Sequence, residues 1–304
     1  MNAPPVREPD PLRALGRVLN SVDALRNGGA LWVLLATFSA AGLLLTLAQA
    51  ALARQSAVWA AVQGGLAFFV TFYGSNAVGL MLMDQALGKP PREASQAIRD
   101  ALSQAHRMLL LVLLMALTAL VALALSAAVL WVASAPRWGP PLLGLIVPVF
   151  VPAIGLTILA LVTLCAPLAA PAIWYGLSVA QTLRLLCRQA RQRFVHVVML
   201  TSAVGLLSAA MAAMASFVVL TGGRILAWLA VLVAGIDLTP DPFMAALFGK
   251  GFQAAGPAVV SAHNAAAHTG AGVVFAVALV VPGLVYLRGL CAVFLTLHQP
   301  DLND

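Results

Sequence analysis

The residues of this chain that could do chemistry are few and badly placed for it. His263 and His268 stand five apart with Asn264 between them and no Asp or Glu close by. A helical metal pair wants a spacing of four, and a metal wants further donors, so an ordinary solvated loop is the simpler reading. Two glutamates, Glu8 and Glu93, are the whole complement of that residue. Asp237 and Asp241 are four apart, but Pro240 between them argues for a turn rather than a shared helix face. Gly222-Gly223 lacks the context of a phosphate loop. No nucleophile has a base at recognisable spacing. The residues therefore lead us to expect no catalytic residue, no bound metal, no cofactor and no enzyme.

A second set of polar residues lies inside apolar runs, where they are expensive and often functional. The run around 58–83 holds Gln63, Thr71, Tyr73, Ser75 and Asn76, and the last run holds Tyr286 and Arg288. One reading is a polar pathway between those two runs, centred on Asn76 and Arg288. The simpler reading is that Asn76 bonds a neighbouring helix as packing glue and Arg288 snorkels to an interface. Pro148, Pro152, Pro167 and Pro171 could break a helix and expose carbonyls to a solute, as in transporters. Kinking of an overlong helix is the commoner meaning.

The elements that must position these residues are membrane helices. Of 304 residues 62% are hydrophobic and 9% are charged, against about 25% charged in a soluble domain. Such a chain cannot cover a water-facing surface, so an all-α integral membrane protein is expected, forming one polytopic domain over 1–304. Runs near 31–52, 58–83, 108–133, 142–166, 195–220 and 271–297 each reach the roughly 20 residues a span needs. The fourth apolar run continues to Tyr175, about 50 Å as helix, so a kinked span with a Pro-rich interfacial exit is expected there. Ile225–Ile236 is too short to cross and reads as a half-helix within an outer insertion, 222–270. Were it to cross, the count would become seven. Residues 1–29 hold four prolines and seven charged residues with no apolar core, so the first span is expected to be uncleaved.

The net charge of +7 comes almost wholly from arginine. Twelve Lys and Arg fall in loops on one side of the six spans and four on the other, which places the N-terminus in the cytoplasm. With no basic region standing free of the apolar runs, nucleic acid is not an expected partner. The three cysteines, Cys165, Cys187 and Cys291, suggest free thiols. Three charged arms, 11–27, 90–107 and 178–193, each run into a span. Ser178 with Gln181 fits a capping box, and Pro90 and Pro91 suit a first helical turn. Arg184, Arg188, Arg191 and Arg193 are candidates for contact with anionic headgroups. Aligning Ile98 with Leu183 matches Arg99 to Arg184 and Gln104 to Gln189, giving a partial threefold repeat over 11–83, 90–175 and 178–297. Gly205, Ala209 and Ala213 form a small-residue stripe for packing within the chain, or against a second copy or another membrane protein.

The stretch from Leu164 through Pro167, Pro171, Trp174, Tyr175 and Gly176 to Ser178, then an Arg-rich arm and a span, resembles a family pattern. It is similar to bacterial six-helix inner-membrane proteins of the YciC-like type and to the membrane domain of glycerophosphoryl diester phosphodiesterases. The resemblance implies a six-helix inner-membrane protein. It carries no activity, because the phosphodiesterase catalytic domain has no counterpart in these residues. The Arg-, Ala- and Leu-heavy usage suggests a GC-rich proteobacterium. The expectation is a non-enzymatic protein of the bacterial inner membrane with a structural, lipid-contacting or assembly role. The competing class is a transporter of small molecules or lipid. The topology predicts that an impermeant maleimide leaves Cys187 unlabelled in intact cells and labels it after lysis; labelling before lysis would invert the orientation.

Overall fold

The computed structural model describes residues 16, 19–90, 92–134, 139–234 and 262–298. Arg7, Arg13, Arg17, Asp237, Asp241 and Lys250 lie outside them, as do 11–15, 17 and 18 of the first arm and 235–261 of the outer insertion. The His263 and His268 side chains are also outside the description. Among the described residues there is no strand. A short 3-10 helix, Asn20–Arg26, leads into α1 (Gly28–Ala53) and α2 (Ala57–Ala86). Then come α3 (Ala94–Val132) and α4 (Gly139–Ala160), a π segment Leu161–Cys165, and α5 (Ala166–Tyr175). α6 (Val179–Gln192), α7 (Phe194–Ala234), α8 (Ala262–Ala278) and α9 (Val280–His298) follow. Among the described residues six stretches are long and apolar enough to cross a membrane: Gly28–Ala53, Ala57–Ala86, His106–Val132, Pro141–Tyr175, Phe194–Ala230 and Thr269–His298.

The helices run further than the sequence pattern suggests. The second arm and third span are one 39-residue helix, because nothing between Ala94 and Val132 is Gly or Pro. Pro90 stands ahead of its first turn. α7 continues through Gly222 and Gly223 to Ala234, so the half-helix expected over 225–236 is the end of the fifth span. Each glycine costs about 1 kcal/mol against alanine but keeps both backbone groups, so the hydrogen-bond ladder survives. At 41 residues α7 is about 60 Å long, twice the hydrocarbon thickness. Residues 262–270, expected within an outer loop that carries one short helix, begin α8. The last span is interrupted at Leu279, three residues before Pro282, which has no N–H for the Ala278 carbonyl.

The fourth run stays helical through its prolines. Pro148 and Pro152 lie inside α4. Ahead of Pro167 the ladder widens into the π segment, where the Ala166 N–H reaches the Leu161 carbonyl. The expected Pro-rich exit is thus a helix, α5, buried over 167–174. It ends at Gly176, left-handed at φ 105°, where the Leu177 N–H donates to the Ala172 carbonyl (3.0 Å) and the Gly176 N–H to the Ile173 carbonyl (3.0 Å). Two residues on, Ser178 opens α6 with the capping box read from the sequence: its hydroxyl accepts from the Gln181 N–H and its own N–H donates to Gln181 Oε1. Arg193 leaves helical geometry; its N–H closes α6 and its carbonyl opens α7.

The chain divides into two compact units. One comprises the described parts of Met1–Val18, Leu102–Ala203 and Leu290–Asp304. Its core sets Leu111 of α3 against Ala169 and Ile173 of α5, bordered by Met108, Met115, Val179 and Leu183. Tyr175 packs its ring on Phe294 and His298, centroids 5.5 and 5.2 Å away.

The other unit, Leu19–Ala101 with Val204–Gly289, is held by close backbone approach. Gly74 of α2 faces Thr37 of α1 so closely that a Cβ would overlap the threonine side chain. A Cβ on Gly42 would lie 2.8 Å from Ala276 Cβ, and one on Gly272 would meet Thr46, which seats α8 on α1. Small residues let helices approach where lipid offers no hydrophobic drive for them to associate. Ser208 of α7 donates its hydroxyl across to the Pro282 carbonyl of α9 (2.9 Å). Gly74→Ala is expected to cost about 1–3 kcal/mol in overpacking. Gly64→Ala, with nothing within 4 Å, should not lower stability and should raise it by up to about 1 kcal/mol. Thermal unfolding in detergent checks both; a harmless Gly74→Ala would refute the packing of α1 on α2.

Candidate functional site

The most connected polar group of the second unit sits where α2 ends and α3 begins. α2 closes at Gly88, left-handed at φ 68°, where the Lys89 N–H donates to the Asp84 carbonyl (2.9 Å) and the Gly88 N–H to the Gln85 carbonyl (3.2 Å). This turn sends the chain back past its own helix end. Arg92 then reaches Asp84 with two bonds, Nε to Oδ2 at 2.8 Å and Nη2 to Oδ1 at 3.1 Å. Its Nη1 donates to Asp100 Oδ2 at 2.8 Å. The Asp84 side chain is 9% exposed, that of Arg92 24% and that of Asp100 36%. A planar guanidinium satisfying two carboxylates on two helices is a rigid joint.

A second polar link ties in α1. Asn27 caps that helix by accepting from the Ala30 N–H (3.1 Å). Its Nδ2 donates to Gln85 Oε1 (3.3 Å), and Gln85 Nε2 donates to the Asp23 carbonyl (3.2 Å). Asp23 and Arg26 make an exposed pair at 3.6 Å. Both Asp84 oxygens accept from Arg92. The arrangement joins helix ends.

The residues singled out from the sequence behave as follows. Asn76, 8% exposed, donates Nδ2 to the Phe72 carbonyl one turn back (2.8 Å). It opens a run, 76–84, in which every residue is buried. Gln63 is half-buried, and its Oε1 has no hydrogen-bond partner among the described residues. Tyr286 and Arg288 are half-buried in α9. Hydroxyls inside the spans are satisfied by their own helices: Thr37, Thr71, Thr118, Ser126, Thr201 and Thr296 each donate to the carbonyl four residues back. On α6, Arg184, Arg188 and Arg191 are exposed on one face, while Thr182, Leu186 and Gln189 are buried on the opposite one. Arg193 departs from that set; it is half-buried at the turn between α6 and α7. An apolar groove of about 530 Å³ on the second unit is bounded by Met211, Met214, Phe217, Val218 and Val281. Among the described residues no three His, Cys, Asp or Glu side chains come together.

Sequence reasoning missed the Asp84–Arg92–Asp100 joint. It counted Arg92 with the other charges of the cytoplasmic side and did not pair it with Asp84 or Asp100. The available signal was spacing: opposite charges eight residues either side of Arg92, with a Gly-Lys-Pro turn in the first interval. No family model, no characterised protein and no solved structure matches this chain. Arg92→Ala leaves Asp84 buried without its partner and should cost on the order of 2 kcal/mol in detergent stability. Asp100→Ala, at a site one-third exposed, should cost less than about 1 kcal/mol. Equal losses from the two would contradict the central place of Asp84.

Proposed function

We propose that this chain is a non-enzymatic integral protein of the bacterial inner membrane, with a cytoplasmic N-terminus and a structural, lipid-contacting or assembly role. One observation carries the reading. In the apolar windows of the first, second and sixth spans 33%, 50% and 33% of the residues are buried; in the third, fourth and fifth the shares are 6%, 0% and 6%. Leu113, Leu123, Trp131, Leu145, Leu206 and Phe217 are among the side chains left more than 60% exposed. Apolar surface on this scale needs acyl chains, a second copy or another membrane protein against it.

The interfacial arms and the threefold repeat belong to the same proposal. The two-sided burial of α6 supports an arm lying in the leaflet surface, its arginines toward anionic headgroups. The repeat is supported by burial: in the second helix of each supposed unit one stretch is buried all round, 76–84, 167–174 and 289–297. The first two of those helices close at a left-handed glycine, Gly88 and Gly176.

The test separates packing from solute transport. Asn76→Leu removes a buried amide and should lower stability in detergent by about 1 kcal/mol. Any growth defect of Asn76→Leu or Arg288→Leu should then scale with the stability lost. A variant that stays as stable as the parent yet loses growth on, or resistance to, a particular solute would replace this reading with a transporter.

A further inference from the structure

Two stretches of the chain treat their charges differently. Residues 19–101 carry five Lys and Arg against four carboxylates, and Arg26 and Arg92 are paired with Asp23, Asp84 and Asp100. Residues 102–203 carry six arginines, Arg107, Arg137, Arg184, Arg188, Arg191 and Arg193, and no Asp or Glu. The next carboxylate after Asp100 is Asp237. Anions for this stretch of chain cannot come from within it.

Four of those arginines belong to one end of the first unit. Arg184, Arg188 and Arg191 fall at i, i+4 and i+7, within about 60° of one another around α6. All three are exposed, and the buried side of the helix is turned away from them. Met108 of α3 and Leu183 of α6 border the same cluster around Leu111 and Ile173. Their chain neighbours Arg107 and Arg184 are both exposed, so they emerge at the rim of that cluster. Arg188 shares the α6 face and is also engaged within the chain. Cys187, exposed, adjoins it.

We infer that Arg107, Arg184 and Arg191, with Arg188 beside them, form a cationic patch that docks on the anionic phospholipids of one leaflet and enriches them around the first unit. The warrant is charge complementarity. Guanidinium groups match phosphate geometry, the patch surmounts apolar helices, and no carboxylate is at hand in residues 102–203. Arg107, on a different helix, widens the surface beyond the face of a single arm. The inference rests on the membrane reading above, but it fails separately. A chain that stays in the bilayer without preferring anionic lipid sinks only the patch, whereas a chain that is monodisperse in buffer without detergent sinks the membrane reading itself.

The experiment uses the full chain reconstituted in bilayers of phosphatidylcholine mixed with phosphatidylglycerol, with the lipid retained on extraction identified by native mass spectrometry. The parent should retain phosphatidylglycerol above its bulk fraction, and the excess should shrink as sodium chloride is raised. Arg107→Gln, Arg184→Gln and Arg191→Gln should each lower the preference, by up to about fivefold per arginine. Arg224→Gln, in the other unit, should leave it unchanged. Salt-insensitive retention by the parent, which needs no variant to fold, would overturn the proposal. So would undiminished preference in the folded glutamine variants, or displacement of the lipid by equimolar inorganic phosphate, which would make the patch a soluble-anion site.

Discussion

Backbone polar groups inside hydrocarbon have no water to turn to, and the rest of this structure follows from that constraint. It explains why the helices outrun their apolar cores. α3 has no Gly or Pro to stop it, α7 continues through Gly222 and Gly223, and the combined stretch from α4 to α5 continues through its prolines. It also explains the form of the exceptions. Pro167, which cannot donate, is preceded by a π segment rather than a gap, and Pro282 follows the interruption at Leu279. Most side-chain hydroxyls described in the spans obey the same rule by donating to carbonyls of their own helix, while Ser208 donates to the Pro282 carbonyl of another.

With hydrogen bonds satisfied locally, the helices are left with little but shape to hold them to one another. The second unit answers with close approach at Gly74, Gly42 and Gly272, and with polar joints where the helices emerge. Arg92 closes the end of α2 to the start of α3, and Gln85 closes it to the end of the 3-10 helix. The third, fourth and fifth spans are packed very little over their most apolar parts. That unevenness motivates a role exercised on neighbours in the membrane rather than on a substrate in a cavity.

Charge is divided as unevenly as packing. Arg26 and Arg92 have carboxylates of their own, and Arg92 is fixed by two of them. Those around α6 share a segment with none. Equal formal charges therefore have different surroundings. Arg92 ties helix ends together, and the arginines of α6 are those proposed above to meet anionic lipid.

Much of this was legible in the sequence because it is set by composition and short-range pattern. Length of apolar run determines that six helices can span, and Ser178 with Gln181 determines how α6 starts. What the sequence could not say is where a helix stops when both sides of a weak breaker are apolar. Gly222-Gly223 and residues 262–270 were misread for that reason: the cost of a glycine is small beside the cost of bare backbone groups in lipid. Nor could it separate Arg92 from Arg184. Both are arginines in a charged stretch between apolar runs, and only the turn at Gly88, which carries Arg92 back over Asp84, gives Arg92 a partner eight residues away. Solubility class, span count and local caps depend on neighbours in sequence. Which helix faces which, and which charge is satisfied, depends on approaches through space that no local pattern encodes.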